Sequence, residues 1–375
     1  MNSRERLTAA LSHKEPDRVP VDLGGLATTI ELEAYKSLVR HLKIDVPPTC
    51  FRQFHVAPDE SVLQLFGVDT RYVRPGPADK RYETGSADRV IDDWGVEWYN
   101  PPSSYYYDIS SSPLQDASMQ GLRSYKWPEP DDPGRFRGLA DRARDLYENT
   151  QYALVADPVG SGVFEQAWIL RGLENFLVDL MLNPSFASAL MEQIADVHIA
   201  LWDNYLDAVG EYIQVAVVID DLGTEESLMM SPDTYRRLVK PVQSRVWSHI
   251  KSRTDAALFL HSCGAIAPLI PDLIEIGVDI INPVQVSAKG MDPAQLKQRF
   301  GDEIVFWGGG CDTQQVLPYG SADDVRNEVA TRIAQLSPGG GFVFCQVHNI
   351  QPDVPPENIV AMYQAVADYG RYGED

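Results

Sequence analysis

The sequence predicts an α/β fold, a (β/α)8 TIM barrel, from three observations. Short apolar runs begin near residues 19, 70, 152, 214, 257, 279, 303 and 341, and stretches of helical spacing lie between them. Such alternation implies a parallel sheet, and eight units imply that the sheet closes on itself. A length of 375 residues at 44% hydrophobic content is enough for one large core of this kind. No fixed-period repeat and no low-complexity linker divides the chain, so a single domain over residues 1–375 is expected.

The elements follow in order. Residues 3–11 read as an opening helix with Ser3 as a possible cap, and residues 18–23 (RVPVDL) as the first strand after a turn around Pro16. Residues 30–42 carry Leu32, Tyr35, Leu38, Val39 and Leu42 at helical spacing. The second strand is 70–73. From about 74 to 131 prolines and glycines recur, marking an insertion in which 90–99 (VIDDWGVEWY) reads as a hairpin turning near Trp94–Gly95. Residues 101–108 (PPSSYYYD) then place Tyr105, Tyr106 and Tyr107 in a row. Such an excursion either packs on its own aromatics or serves as a lid over a substrate pocket.

The regular rhythm then resumes. Helix 135–148, strand 152–157, helices 164–181 and 184–209, and strand 214–221 follow one another. Ser231-Pro232-Asp233 opens helix 231–252 as a cap followed by proline in the first turn. Strands 257–260, 279–283, 303–307 and 341–345 complete the set, with helices 265–276, 293–300 and 322–336 between them. Pro355-Pro356 introduces the last helix, 357–369.

A net charge of −22 argues against nucleic acid or an anionic membrane as a partner. The opening MNSRERLTAALSHKEPDRVP has no apolar core of a signal peptide, and no apolar run is long enough to cross a bilayer. Cys50, Cys263, Cys311 and Cys345 lie far apart without framework spacing, which favours reduced thiols or metal ligands. A cytoplasmic protein is expected.

In a barrel, side chains just after the strands converge on one face. Here they are Asp22, Asp157, Asp220–Asp221, His261–Cys263, Asn282, Cys311–Asp312 and Cys345–His348. The stretch ALFLHSCG, 257–264, puts His261 and Cys263 two apart at a strand end, on the same side of an extended backbone, where they can grip one ion. A buried thiol beside a hydrogen-bonded imidazole is the alternative reading. Catalytic zinc typically keeps three protein ligands and one open position. His348 is a candidate third ligand, with Cys311 and Cys345 competing for the place. Asp220 or Asp221 is expected to face the pocket as a general acid/base or hydrogen-bond partner, with a helix-capping role equally open. Asp157 and Glu165 are further candidate catalytic carboxylates. The glycines of WGGGCDTQ and SPGGGF lack the form of a phosphate loop and read as tight connections.

Several segments together resemble the uroporphyrinogen decarboxylase superfamily: RERLTAALSHKEPDRVPVDLGG, RGLENFLVDLMLNP, IDDLGTEESLMMSPDTYRRLVKP, HSCG, FWGGGCDTQQVLP and HNIQPDVPPENIVAMYQA. They span nearly the whole chain, and the resemblance implies a (β/α)8 barrel. The decarboxylase wing binds porphyrinogen acetates through N-terminal arginines, without metal. The matching stretch here, VDLGGLATTIELEAY, contains no arginine. The other wing consists of zinc methyltransferases that work with corrinoid proteins, and HSCG matches its His-x-Cys ligands. Where that wing has a later cysteine, this chain has His348. The resemblance therefore implies a site of His261, Cys263 and His348, unless Cys311 or Cys345 substitutes. It implies methyl transfer between a small donor or acceptor and a corrinoid (cobalamin) on a partner protein, with a homodimer left open. Trp94, Trp98 and Tyr105–Tyr107 suit a methoxylated aromatic donor and thus O-demethylation. Decarboxylation of an organic acid without metal is the alternative.

Overall fold

Seven parallel strands form one curled sheet in the spatial order Phe342–Val343, Val305–Trp307, Ile280–Asn282, Ala257–His261, Val215–Ile219, Ala153–Ala156 and Thr70–Val73. The chain is seen in a computed structural model that describes residues 1–80, 86, 88–102, 104 and 106–373. Residues 18–23 close the circle between the two end strands. Val21 pairs in parallel with Phe344, Phe344 N–H donates to the Pro20 carbonyl at 2.8 Å, and Asp69 N–H donates to the Val21 carbonyl at 2.8 Å. Pro20 has no N–H to give a ladder. The Asp69 carboxylate adds a closing contact of its own, accepting from Val21 N–H at 2.9 Å while it pairs with Arg6 and Arg18, each at 2.7 Å. The expected first strand, 18–23, is therefore a bridging segment.

Alternation along each strand fixes what faces inward. Tyr72, Val155, Val217, Phe259, Ile280, Trp307, Val343 and Cys345 fill the barrel interior, and their sequence neighbours pack outward against the helices. His261 and Asn282 continue the inward parity of Phe259 and Ile280, and the strand register pairs them directly.

Several expected helices are interrupted, each for a local reason. The 164–181 stretch divides at Gly172, φ +85°, into Val163–Arg171 and Leu173–Leu182. The 231–252 stretch widens into a π turn over Tyr235–Val239, just before Pro241, whose missing N–H removes one intrahelical bond. Helix 30–42 begins at Leu32, because Ile30–Glu31 forms a strand pairing with His55–Ala57, which in turn pairs with Thr49–Arg52. This small antiparallel sheet, absent from the sequence reading, sits at the barrel mouth.

The insertion contains the expected hairpin, Arg89–Ile91 against Glu97–Tyr99, and adds a third strand, Asp108–Ser111. Trp94 is buried and meets Trp127 and His198 edge to face, while Trp98 Nε1 donates to Asp92 at 2.8 Å. These two tryptophans thus pack the insertion itself, where the sequence reading set them against an aromatic substrate. Tyr107 lies 6.1 Å from Phe54 of the small sheet, and Tyr106 is 48% exposed. Tyr105 lies outside the described residues. Among the described residues no helix is long and apolar enough to cross a membrane.

Candidate metal centre

At the C-terminal end of the Ala257–His261 strand the chain turns through Ser262, Cys263 and Gly264. Gly264 has φ +92°, and a Cβ there would lie 2.6 Å from the Gly223 and Thr224 backbone, so only glycine fits this crossing. The turn brings Cys263 Sγ back to 3.5 Å from His261 Nε2. Asp221 holds it there, its Oδ1 accepting from Cys263 N–H at 2.8 Å. His348, in the loop after the last strand, completes a group whose ligand atoms all lie within 4.8 Å of one another. The His261 and His348 ring centres are 5.5 Å apart.

The tautomer of His261 follows from its neighbour. Asn282 Nδ2 donates to the Trp307 carbonyl at 2.9 Å, so Oδ1 is the atom 2.6 Å from His261 Nδ1 and must accept. His261 Nδ1 therefore carries the proton, and Nε2 offers a lone pair toward Cys263 and His348. Burial, then the neighbouring His261 and His55, holds His348 neutral, with its pKa down to about 3. Burial together with Asp221 and Glu165 pushes the Cys263 thiol well above its ordinary pKa.

The carboxylates divide by role. Asp220 is fully buried and accepts from Glu165 N–H at 2.7 Å, Phe164 N–H at 3.2 Å and Gln243 Nε2 at 2.8 Å. It caps helix Val163–Arg171. Gly162 makes room for it, since a Cβ there would fall 2.1 Å from Asp220 Cγ. Burial pushes the pKa of Asp220 up to about 7 against those hydrogen bonds. Glu165 Oε2 is buried without a partner, and burial plus Asp221 and Asp220 raises its pKa well above the ordinary value. Asp157 accepts from Leu26 N–H at 3.1 Å and pairs with Arg74 at 2.8 Å. Asp221 and Glu165 face the cluster, whereas Asp220 and Asp157 are engaged in positioning backbone and Arg74.

Three strand-end groups lie away from the cluster. Cys311 Sγ points to Glu328 at 3.4 Å, on the helical side, away from its expected place as a ligand. Cys345 is in the barrel interior by strand parity. Asp22 is sealed there as well, accepting from Thr70 at 2.5 Å, Tyr72 at 3.0 Å and Trp307 at 2.9 Å. The sequence reading missed Glu31, Arg52 and His55, which the small sheet brings to the mouth. Arg52 makes no ion pair among the described residues and is close enough to Glu165, Asp92 and Asp157 to feel their charges. The signal for Arg52 and His55 was the short run 49–57, too short to identify a sheet, and nothing local marked Glu31.

A family model described as uroporphyrinogen decarboxylase (URO-D) matches residues 126–369. The uroporphyrinogen decarboxylase of Saccharophagus degradans is 25% identical over 189 residues, covering 50% of this chain and 49% of that protein. That of Psychromonas ingrahamii is 29% identical over 190 residues, covering 49% of each. The matches span about half the length of these curated relatives. Among solved structures, a methyltransferase from Methanosarcina mazei superposes with a TM-score of 0.70 at 17% identity, covering 98% of this chain and 99% of that one. The fold is thus shared over essentially the full length.

Proposed function

This chain belongs to the uroporphyrinogen decarboxylase family, and from that premise we propose that it is a zinc-dependent methyltransferase. It moves a methyl group between a small donor, a methoxylated aromatic, and a corrinoid on a partner protein. The supporting observation is the convergence of His261, Cys263 and His348 within 4.8 Å. Two imidazoles and one thiol are a donor set suited to zinc, and three protein ligands leave a position for substrate. His261, Cys263 and His348 would hold the ion, which would supply Lewis acidity to polarise an ether oxygen or to ionise a thiol at neutral pH.

The chain's own residues prepare the site. Asn282 fixes the ring and tautomer of His261, and Asp221 fixes the turn that carries Cys263. Burial, then the nearby Asp221 and Glu165, disfavour a bare thiolate at Cys263, so ionisation of the thiol awaits a cation. Elemental analysis tests this reading. About one zinc per chain is expected, with loss in Cys263→Ala.

A second reading, metal-free decarboxylation of an organic acid, draws support from Arg52, a guanidinium with no ion pair among the described residues that feels the Glu165, Asp92 and Asp157 charges. Absence of metal from both proteins, with release of carbon dioxide from a small carboxylic acid, would put this reading first.

A further inference from the structure

Beside the three-residue cluster, the mouth holds a second set of polar atoms without partners. Glu31 is 1% exposed. Both its carboxylate oxygens and Nδ1 of His55 are buried with no hydrogen bond among the described residues. The strand register sets Glu31 directly opposite His55, so the two side chains share a face of the small sheet. His55 Nδ1 and Glu31 Oε1 are 3.6 Å apart, too far for a hydrogen bond. Leaving such groups unpaired costs roughly 1–3 kcal/mol each. An apolar pair would fill the same space without that cost.

The pair is tied to the candidate metal centre. Glu31 N–H donates to the Ile350 carbonyl at 2.9 Å, and Thr29 N–H donates to Asn349 Oδ1 at 2.8 Å. Residues 29–31 are thereby fastened to the two residues that follow His348. Burial, then the charges of Glu31 and Cys263, push the Tyr106 phenol up to about 12. Burial holds His55 neutral, its pKa down to about 4, and lifts Glu31 to about 7, so the pair can both accept and donate near neutral pH.

We propose that Glu31 and His55 form a hydroxyl-binding subsite, which recognises a neutral hydroxyl on the same aromatic ring that carries the reacting methoxy group. The proposal rests on the reading of the mouth as a site for an aryl methyl ether. A hydroxyl both donates and accepts, as this pair requires. Seated between the two, it gives its proton to His55 Nδ1 and accepts from the Glu31 carboxyl, or donates to the carboxylate. A methoxy group in the same place has no proton to give and would leave His55 Nδ1, an acceptor, unpaired.

Calorimetric titration of the full-length chain with 2-methoxyphenol and 1,2-dimethoxybenzene, with and without added Zn2+, tests the proposal. The wild type is expected to bind the hydroxylated probe roughly ten-fold more tightly in both metal states. Glu31→Met and His55→Phe should bind the two probes equally. Glu31→Met should also unfold at a higher temperature, because an unpaired buried carboxyl has been removed. A wild type that binds neither probe or does not discriminate between them overturns the proposal. So does a Glu31→Met variant that keeps the preference, or one that unfolds earlier and loses both ligands. Because the preference is read without metal or turnover, failure of the zinc reading leaves this measurement intact, and its own failure leaves the zinc reading standing.

Discussion

His261 Nδ1 lies 2.6 Å from Asn282 Oδ1, and that one contact determines which face of the imidazole is free. The two residues are direct register partners in neighbouring parallel strands, and both point into the barrel. Asn282 is itself locked by its bond to the Trp307 carbonyl at 2.9 Å. A chain of three strands thus orients one lone pair.

Asn282→Ala is expected to weaken zinc binding by roughly 10–100-fold, the usual cost of losing an outer partner of a ligating histidine. Asn282→Asp, which keeps an acceptor for Nδ1–H, should bind zinc more tightly than the alanine variant. Competition with a chromogenic chelator measures both. Wild-type affinity in Asn282→Ala would mean that the contact does not orient the ligand.

Cys311→Ser and Cys345→Ala should retain wild-type zinc content. Cys311 is turned to Glu328 and Cys345 is inside the barrel. Loss of metal from either variant, with the fold intact by circular dichroism, would place that sulfur in the ligand set.

Asp220→Ala should be destabilised by about 2–4 kcal/mol, since it strands two helix N–H groups and the Gln243 amide in a buried site. Zinc content should be unchanged. Urea unfolding with metal analysis separates this capping role from a catalytic one. An unaltered midpoint would refute the cap.

The Glu31–His55 pair gives a pH signature with opposed signs. Burial raises the Glu31 carboxyl from 4.5 to about 7. Between these values the unfolded chain releases a proton that the folded chain keeps, so this group's contribution to stability falls as pH rises. Burial lowers His55 from 6.5 to about 4. The folded chain there prefers the neutral ring, so its contribution rises with pH across that window. The two slopes largely cancel in the wild type. Glu31→Met should gain stability over wild type increasingly from about pH 4.5 to 7, by on the order of 3 kcal/mol at the top. Against wild type, His55→Phe should lose relative stability as pH rises across the histidine window. Parallel stability–pH curves for wild type and Glu31→Met would sink the assignment.

Much of the barrel was legible in the chain because strand and helix periods are local properties. The runs at 70, 152, 214, 257, 279, 303 and 341 all became sheet strands. The run at 18–23 did so only in part, since Pro20 denies the ladder a donor and Asp69, far along the chain, adds a closing contact. His261 and Cys263 were legible together for the same local reason, a two-residue spacing at a strand end. Asp220 and Asp221 were adjacent and indistinguishable in sequence. The structure separates them by what each meets, a helix N-terminus for Asp220 and the Cys263 turn for Asp221.

The sequence by itself determined the alternation of strands and helices, the inward parity of each strand, and the pairing of an imidazole and a thiol at 261 and 263. Only the tertiary structure decided that His348 joins them while Cys311 and Cys345 do not, and that Glu31 meets His55 at the same mouth. The physical reason is range. Parity and period are set by bonds between neighbours, whereas these meetings depend on loops from opposite ends of the chain pairing, as Glu31 does with Ile350, once the barrel has closed.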